Sequence, residues 1–579
     1  MKKKPAILLG INLLIACQFH DQMLAQGTVG PEKSALISPL SIPIFLAGNF
    51  GEPRANHFHS GIDIKTNGST GLPVRSVAEG YVSRIKVDAG GYGRALYIRH
   101  PNGFTSLYGH LQSYNEAISK YVYAEQYRRE SFAVDLFPEP GQLVIQKGQL
   151  VAYSGNSGSS EGPHLHFELR ETQSENPVNP LIRSIEVKDD LPPVIEKIYV
   201  YSLRGRREWI KPVQATLIRT KDGYRPAGGG PLPVDNVSGL GIETYDLLNG
   251  SDNHCGAYKI KGYLDDKLYF ESRLDEISFA ETRYMNSFMD YKLFITNHKP
   301  ILKLFIDPNN QATIYKFANN RGRIELKDNK IHKIKIAVSD AVGNESVAEF
   351  NIVLNSDRFG RDPDFLPFYT AYFNCQESNS FQAVGLEVTV PERALYDDIY
   401  FDYSIGEARP GSFSPLHQIH HSDVPVHLYY RLAIEAQNLP ENLKSIATIA
   451  QYLGGNRYSC LGGTWEGNRL IARTRSFGSF CIMADSVKPV IAPLNFSSGS
   501  ELKTLNTIKF TVKDDFAGVQ SFRGEIDGKW VLLEYDAKTF SLEYRYDSAR
   551  IKAGIQHKMV VRATDQLGNT GIYSVSFFR

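Results

Sequence analysis

At 579 residues the chain exceeds what one hydrophobic core supports, so about three to five domains of about 100 to 200 residues are expected. The 64 Lys+Arg against 63 Asp+Glu leave a formal charge of +1, and no block of like charge marks a nucleic-acid or polyanion surface. The 48 Gly, 29 Pro, 32 Tyr and 31 Phe, with many short Val/Ile/Thr segments between turn signals, predict a mainly β protein.

Lys2, Lys3 and Lys4 precede an apolar run from Ala6 to Ala16 that is too short to span a bilayer. Residues 1–25 therefore read as an export signal, which places the mature protein in the periplasm or cell envelope. Leu14-Ile15-Ala16-Cys17 resembles a lipobox, in which an acylated Cys17 would anchor the protein to lipid, and Leu24-Ala25-Gln26 offers an ordinary cleavage site. Both alternatives stay open. No later segment holds about 18 uninterrupted apolar residues. The remaining Cys255, Cys375, Cys460 and Cys481 are too sparse for a disulfide scaffold. A Cys460–Cys481 bridge is the tentative pairing, beside the alternative of four free thiols.

Residues 38–187 carry the chemistry. In His57-Phe58-His59-Ser60-Gly61-Ile62-Asp63-Ile64, side chains of an extended chain alternate faces, so His59 and Asp63 share one face while Ile62 and Ile64 take the other. The same parity in Gly162-Pro163-His164-Leu165-His166-Phe167-Glu168-Leu169 puts His164 and His166 together, opposite Leu165 and Phe167. His59, Asp63 and one of the two strand histidines would offer one zinc ion a His₂Asp set with its fourth position open. Such a zinc lowers the pKa of a bound water from about 15.7 to roughly 7, so no nucleophilic side chain is required. A general base or acid is, and His110, after a predicted hairpin at Asn102-Gly103, is available with the unliganded strand histidine.

Five ordered stretches tie these residues to a known family: GNFGEPRANHFHSGID from Gly48, VAEGYV from Val77, GGYGRALYIRH from Gly90, TSLYGHL from Thr105 and KGQLVAYSGNSGSSEGPHLHFEL from Lys147. Together they resemble the lysostaphin-like, LytM-type zinc metallopeptidase domain, over about a quarter of the chain. The resemblance implies an N-terminal antiparallel β-sheet domain with the metal in a groove. It also implies His59, Asp63 and His166 as zinc ligands, and His110 and His164 as the groups that assist the water and the transition state. The implied activity is zinc endopeptidase, with peptidoglycan stem peptides or cross-links as substrate. Arg54 and Tyr92 are candidates to line the groove; His57 and His100 have no matching role and read as structural or exposed. Residues 112–146 read as an insertion with some helix beside the groove, either a lid or a surface elaboration. Two other functions stay open: a non-catalytic envelope scaffold or amidase activator, and a peptidase acting on proteins.

Beyond Val187 the chain reads as about three β-sandwich-like domains, at 188–355, 356–484 and 485–579. The first and third repeat each other: Asp189 to Ile195 echoes Asp485 to Ile491, Asp235 to Leu240 echoes Asp514 to Val519, Lys261 to Asp265 echoes Arg523 to Asp527, and Ser339 to Asn344 echoes Thr564 to Asn569. These resemble bacterial immunoglobulin-like modules, and from sequence alone their Asp and Asn residues read as turn formers that bond nearby backbone, with calcium binding as the alternative. His417, His420 and His421 (HQIHH) read as a surface loop without chemistry. The expected role of the sandwiches is to extend or position the peptidase or to bind envelope proteins.

Overall fold

The computed structural model describes residues 36–183, 185–204, 210–359, 369–497, 501–502 and 505–579. The predicted export signal, Cys17 and the alternative cleavage site lie outside the described residues. The chain is mostly β, as expected, and among the described residues no helix is long and apolar enough to cross a membrane.

The N-terminal region is organised by one antiparallel sheet. Its main path runs Leu46–Gly48, Ile62–Lys65, His164–Glu171, Phe104–Gly109, Arg94–Arg99, Gly80–Val87 and Val134–Leu136. The strand parity read from sequence holds. Ile62, Ile64, Leu165, Phe167 and Leu169 are fully buried in the core, and Asp63, His164, His166 and Glu168 point to the other face. A bend at Gly61 interrupts the extended chain between His59 and Asp63, and glycine is required there: a Cβ would stand 2.3 Å from the carbonyl oxygen of Phe167.

The 112–146 segment contains the helix Glu116–Arg129, started by Asn115, whose side chain accepts from the Ile118 amide. Ile118, Val122 and Gln126 bury its inner side. Its tyrosines meet the last module: Tyr127 packs edge-on against Trp530 at 4.9 Å, and the Tyr123 hydroxyl donates to Asp547.

Strands from Val194–Ser202 to Glu345–Leu354 form a twelve-stranded sheet, ten of them along one path with Leu232–Val234 and Ile324–Glu325 pairing off it, and their apolar core is continuous with that of the N-terminal region. Residues 371–484 form two five-stranded sheets and a two-stranded ribbon over a separate core, and residues 490–578 form two four-stranded sheets over a third.

The repeat is visible in the topology, with one correction. Val194–Ser202 pairs with Val237–Tyr245 as Val490–Pro493 pairs with Thr507–Lys513. The structural counterpart of Asp514 is therefore Asp246, after Val237–Tyr245, and not Asp235 before it. Asp246 and Gly250 indeed have the spacing of Asp514 and Gly518. Asp265 bonds His332 at 2.7 Å and Asp527 bonds His557 at 2.6 Å, a second conserved pairing between the modules.

The tentative disulfide is not formed. Cys255, Cys375, Cys460 and Cys481 are all free. Cys460 and Cys481 both lie opposite Ala450, one on each side of the strand Ala447–Tyr452. Two strand spacings, about 9.5 Å, exceed the Cα separation of about 4.4–6.8 Å that a bridge allows. Of the HQIHH histidines, His417 and His420 are buried and only His421 is exposed, so this segment is less of a surface loop than the sequence suggested.

Candidate metal centre

The site forms where the Ile62–Lys65 and His164–Glu171 strands pair with His166 opposite Asp63. His166 is also opposite Gly109 on its other flank, which brings His110 to the same place. His110 itself sits at φ +57°, a left-handed conformation that turns the chain out of its strand.

Three side chains converge. His59 Nε2 is 3.1 Å from His166 Nδ1 and 3.2 Å from Asp63 Oδ1, and His166 Nδ1 is 2.9 Å from Asp63 Oδ1. All three residues are buried. Ligand atoms held tetrahedrally about zinc at about 2.0–2.1 Å would be about 3.3 Å apart, close to these separations.

The tautomers fit as well. His59 Nδ1 lies 2.8 Å from the carbonyl oxygen of Asn49, which can only accept, so Nδ1 carries the hydrogen and Nε2 turns its lone pair inward. His166 Nε2 donates to Glu168 Oε1 at 2.9 Å, leaving Nδ1 as its inward lone pair. Two nitrogen lone pairs and a carboxylate oxygen therefore face each other with no donor among them, an arrangement that a cation satisfies. Without a metal, a proton takes this place. Burial alone would lower the His166 imidazolium, but hydrogen bonds to Asp63 and Glu168 and their charges outweigh it and hold its pKa at about 9. Burial would likewise raise Asp63, yet His59, His164 and His166 hold it well below the usual carboxylate range.

His164 contributes differently. Its Nε2 is 3.4 Å from Asp63 Oδ1, while its Nδ1 donates to the Gly162 carbonyl at 2.8 Å. His110 donates from Nδ1 to the Ser157 carbonyl at 2.9 Å, and its ring is 4.8 Å from that of His164. Burial and the neighbouring His166 and His164 push His110 down to about 3, so it is a neutral base with Nε2 unprotonated. The structure thus gathers His59, Asp63, His110, His164 and His166, and it separates His164 from His166 where strand parity could not.

Arg54 and Tyr92 have firmer tasks than lining a groove. Arg54 Nη2 holds Asp63 Oδ2 at 2.5 Å, and Tyr92 donates to Glu168 Oε1 while its ring lies 5.1 Å from that of His166. His57 is exposed, and His100 is buried, bonded to the Glu79 carbonyl and to Ser106. Glu168 was missed by the sequence reading, although its position two residues after His166 puts it on the same strand face. It is fully buried, with Arg170 Nε at 2.7 Å and Ser60 Oγ at 2.6 Å. Asn49 and Ser157 were missed too; both act through backbone oxygens that no side-chain pattern reveals.

Neighbouring modules wall the site. Asn49 exchanges hydrogen bonds with Gly256, and Thr282 Oγ1 accepts from the Phe58 amide at 3.0 Å. On the other side, Lys538 donates to the carbonyls of Asn156 and Ser160, in the loop that leads into His164, and Arg94 pairs with Glu534 at 2.9 Å.

Residues 57–127 and 133–180 match peptidase family M23, and residues 370–485 match the Zu5-like domain. Most of the 112–146 segment thus falls within the matched residues. Among proteins similar to this one is the DD-carboxypeptidase/endopeptidase Mpg of Neisseria meningitidis serogroup B, 34% identical over 123 residues, which are 21% of this chain and 22% of Mpg. An uncharacterized metalloprotease of Haemophilus influenzae is 34% identical over 123 residues, covering 21% of this chain and 20% of its own. The solved catalytic domain of lysostaphin from Staphylococcus simulans is 23% identical, with 23% of this chain and 86% of that one covered and a TM-score of 0.16. The chain thus spans about a fifth of the length of the curated relatives it matches. On the matched residues, this chain carries a domain of peptidase family M23, followed further along by a Zu5-like domain.

Proposed function

We propose that this protein is an exported zinc metalloendopeptidase that hydrolyses peptide bonds in peptidoglycan stem peptides or cross-links. The observation that carries the reading is the triangle of His59 Nε2, Asp63 Oδ1 and His166 Nδ1, with every tautomer set so that lone pairs converge. When bound there, zinc supplies a Lewis acid for the scissile carbonyl and acidity to a water.

The chain's own residues do the rest. His110, neutral and with Nε2 free, accepts a proton from the attacking water, and its Nδ1–H bond to Ser157 keeps that tautomer through the reaction. His164 is similarly fixed by Gly162, and its ring faces the same space beside His110, where it assists the transition state. Arg54 and Glu168 orient Asp63 and His166.

The substrate class is supported by the name carried by the Neisseria relative and by the export signal read in residues 1–25. The test compares purified cross-linked muropeptides with an unfolded protein as substrates. Cleavage of muropeptides is the expected result, and cleavage of the protein alone would overturn the substrate assignment.

A further inference from the structure

The two related modules each gather three aspartates that the M23 site does not use. In the first, ligand oxygens of Asp189, Asp246 and Asp340 all lie within 4.8 Å of one another; in the last, those of Asp485, Asp514 and Asp565 do the same. Acidic clusters alone are common. Here each contains a carboxylate oxygen buried without any hydrogen-bond donor: Oδ1 of Asp246, 2% exposed, and Oδ2 of Asp485, 4% exposed. Asp514 Oδ2 is a further orphan in the second cluster.

The bonds around one aspartate of each cluster follow the same pattern in the two modules. Asp340 Oδ1 accepts the amides of Val342, Gly343 and Asn344, and Asn344 Nδ2 bridges Asp340 Oδ2 at 2.8 Å and the Asp189 carbonyl at 3.3 Å. Asp565 Oδ1 accepts the amides of Leu567 and Asn569, and Asn569 Nδ2 bridges Asp565 Oδ2 and the Asp485 carbonyl, both at 2.8 Å. These turns fix one aspartate and the incoming linker. They leave the orphaned oxygens facing two other carboxylates, and no basic side chain among the described residues pairs with either group.

We propose that each cluster is a binding site for a divalent cation of the calcium class. A buried carboxylate without donor or counter-charge costs several kcal/mol unless a proton or a cation compensates it. The donors are all hard oxygens, which suits Ca²⁺ with its 6–8 oxygen ligands and disfavours zinc, which prefers nitrogen and sulfur. The position gives the ion a task. Asp189 lies on the link from the peptidase region and Asp485 follows the strand Gly478–Ala484 that ends the Zu5-like region, whereas Asp246, Asp340, Asp514 and Asp565 stand at strand ends inside the modules. An ion at each site ties an incoming linker to its module. In the last module it would stiffen the mount that carries Lys538 to the loop before His164.

The test is calorimetric titration of CaCl₂ into the full-length protein stripped of metal, carried in a His166→Ala background so that the M23 site cannot contribute. Two Ca²⁺ per chain are expected, with dissociation constants of about 10⁻⁴ to 10⁻³ M, as for extracellular modules. The near-isosteric Asp246→Asn and Asp514→Asn should each remove one, the double variant both, and the Ca²⁺-dependent rise in Tm should vanish with them. Absence of binding by the parent protein would overturn the proposal and assign a shared proton to each cluster. Two ions still bound by the double variant would overturn the placement.

Discussion

The His166 Nε2–H donates to Glu168 Oε1 across 2.9 Å, so the carboxylate two residues along one strand sets which nitrogen of its neighbour faces the metal position. Burial would raise the Glu168 carboxyl, but Arg170 and His166 outweigh it and hold it below the usual range. Glu168→Gln keeps the shape and removes the charge. It is expected to weaken zinc binding about 10–100-fold and to destabilise the protein, because the buried Arg170 loses its nearest carboxylate and keeps only Glu175 at 3.6 Å. Zinc competition and urea unfolding measure the two effects. Since the folded pKa is depressed, this stabilisation is present above about pH 4.3 and is lost as the pH falls below it.

Zinc uptake should release a proton. In the metal-free protein His166 holds a proton with a pKa of about 9, and a zinc ion bound as proposed would take the same lone pair. Near pH 7 about one proton per zinc is expected from this residue, and apparent affinity should climb about tenfold per pH unit until about pH 9. Calorimetry in buffers of different ionisation enthalpy reads the proton count; no release would show that His166 is not the ligand. The raised pKa also means that the protonated His166 stabilises the metal-free fold below about pH 6.5 and ceases to do so as pH rises through about 9.

His110 touches none of the three ligand atoms directly, so it can be removed without emptying the site. His110→Asn suits the φ of +57°. It should retain stoichiometric zinc, lower kcat about 10²–10⁴-fold and change KM little. A loss of zinc would show instead that His110 is part of the metal shell.

The thiols provide an independent check on the β architecture. With Cys460 and Cys481 on opposite sides of the Ala447–Tyr452 strand, no bridge can form without taking the sheet apart. Alkylation of the denatured, unreduced protein should modify Cys255, Cys375, Cys460 and Cys481, and dithiothreitol should leave Tm unchanged.

The strand histidines were legible in the sequence because a strand has period two, which put His164 and His166 on one face. His59 and Asp63 were grouped by the same rule, but in the structure they meet across a bend at Gly61 that strand parity does not describe. Parity could not rank His164 against His166, since the choice depends on which residue lies opposite Asp63, a matter of register. Glu168 obeyed the same parity and was readable. The backbone acceptors at Asn49 and Ser157 were not, because any residue type supplies them. The repeat was legible as a series of echoes, yet Asp514 was matched to Asp235 rather than Asp246. Asp235 instead accepts from Ser202 and Ser356, and only the strand pairing reveals the difference. The docking of the last module beside the metal centre, through Lys538, Glu534 and Trp530, joins residues some 400 positions apart that no local pattern links.

The central claim is tested most directly by measuring zinc content and muropeptide release from isolated sacculi together, for the wild-type protein and His166→Ala. About one zinc per chain with peptide release, both lost in the variant, is the predicted result. A wild-type protein that binds no zinc, or a variant that releases muropeptides as well as the wild type, would contradict it.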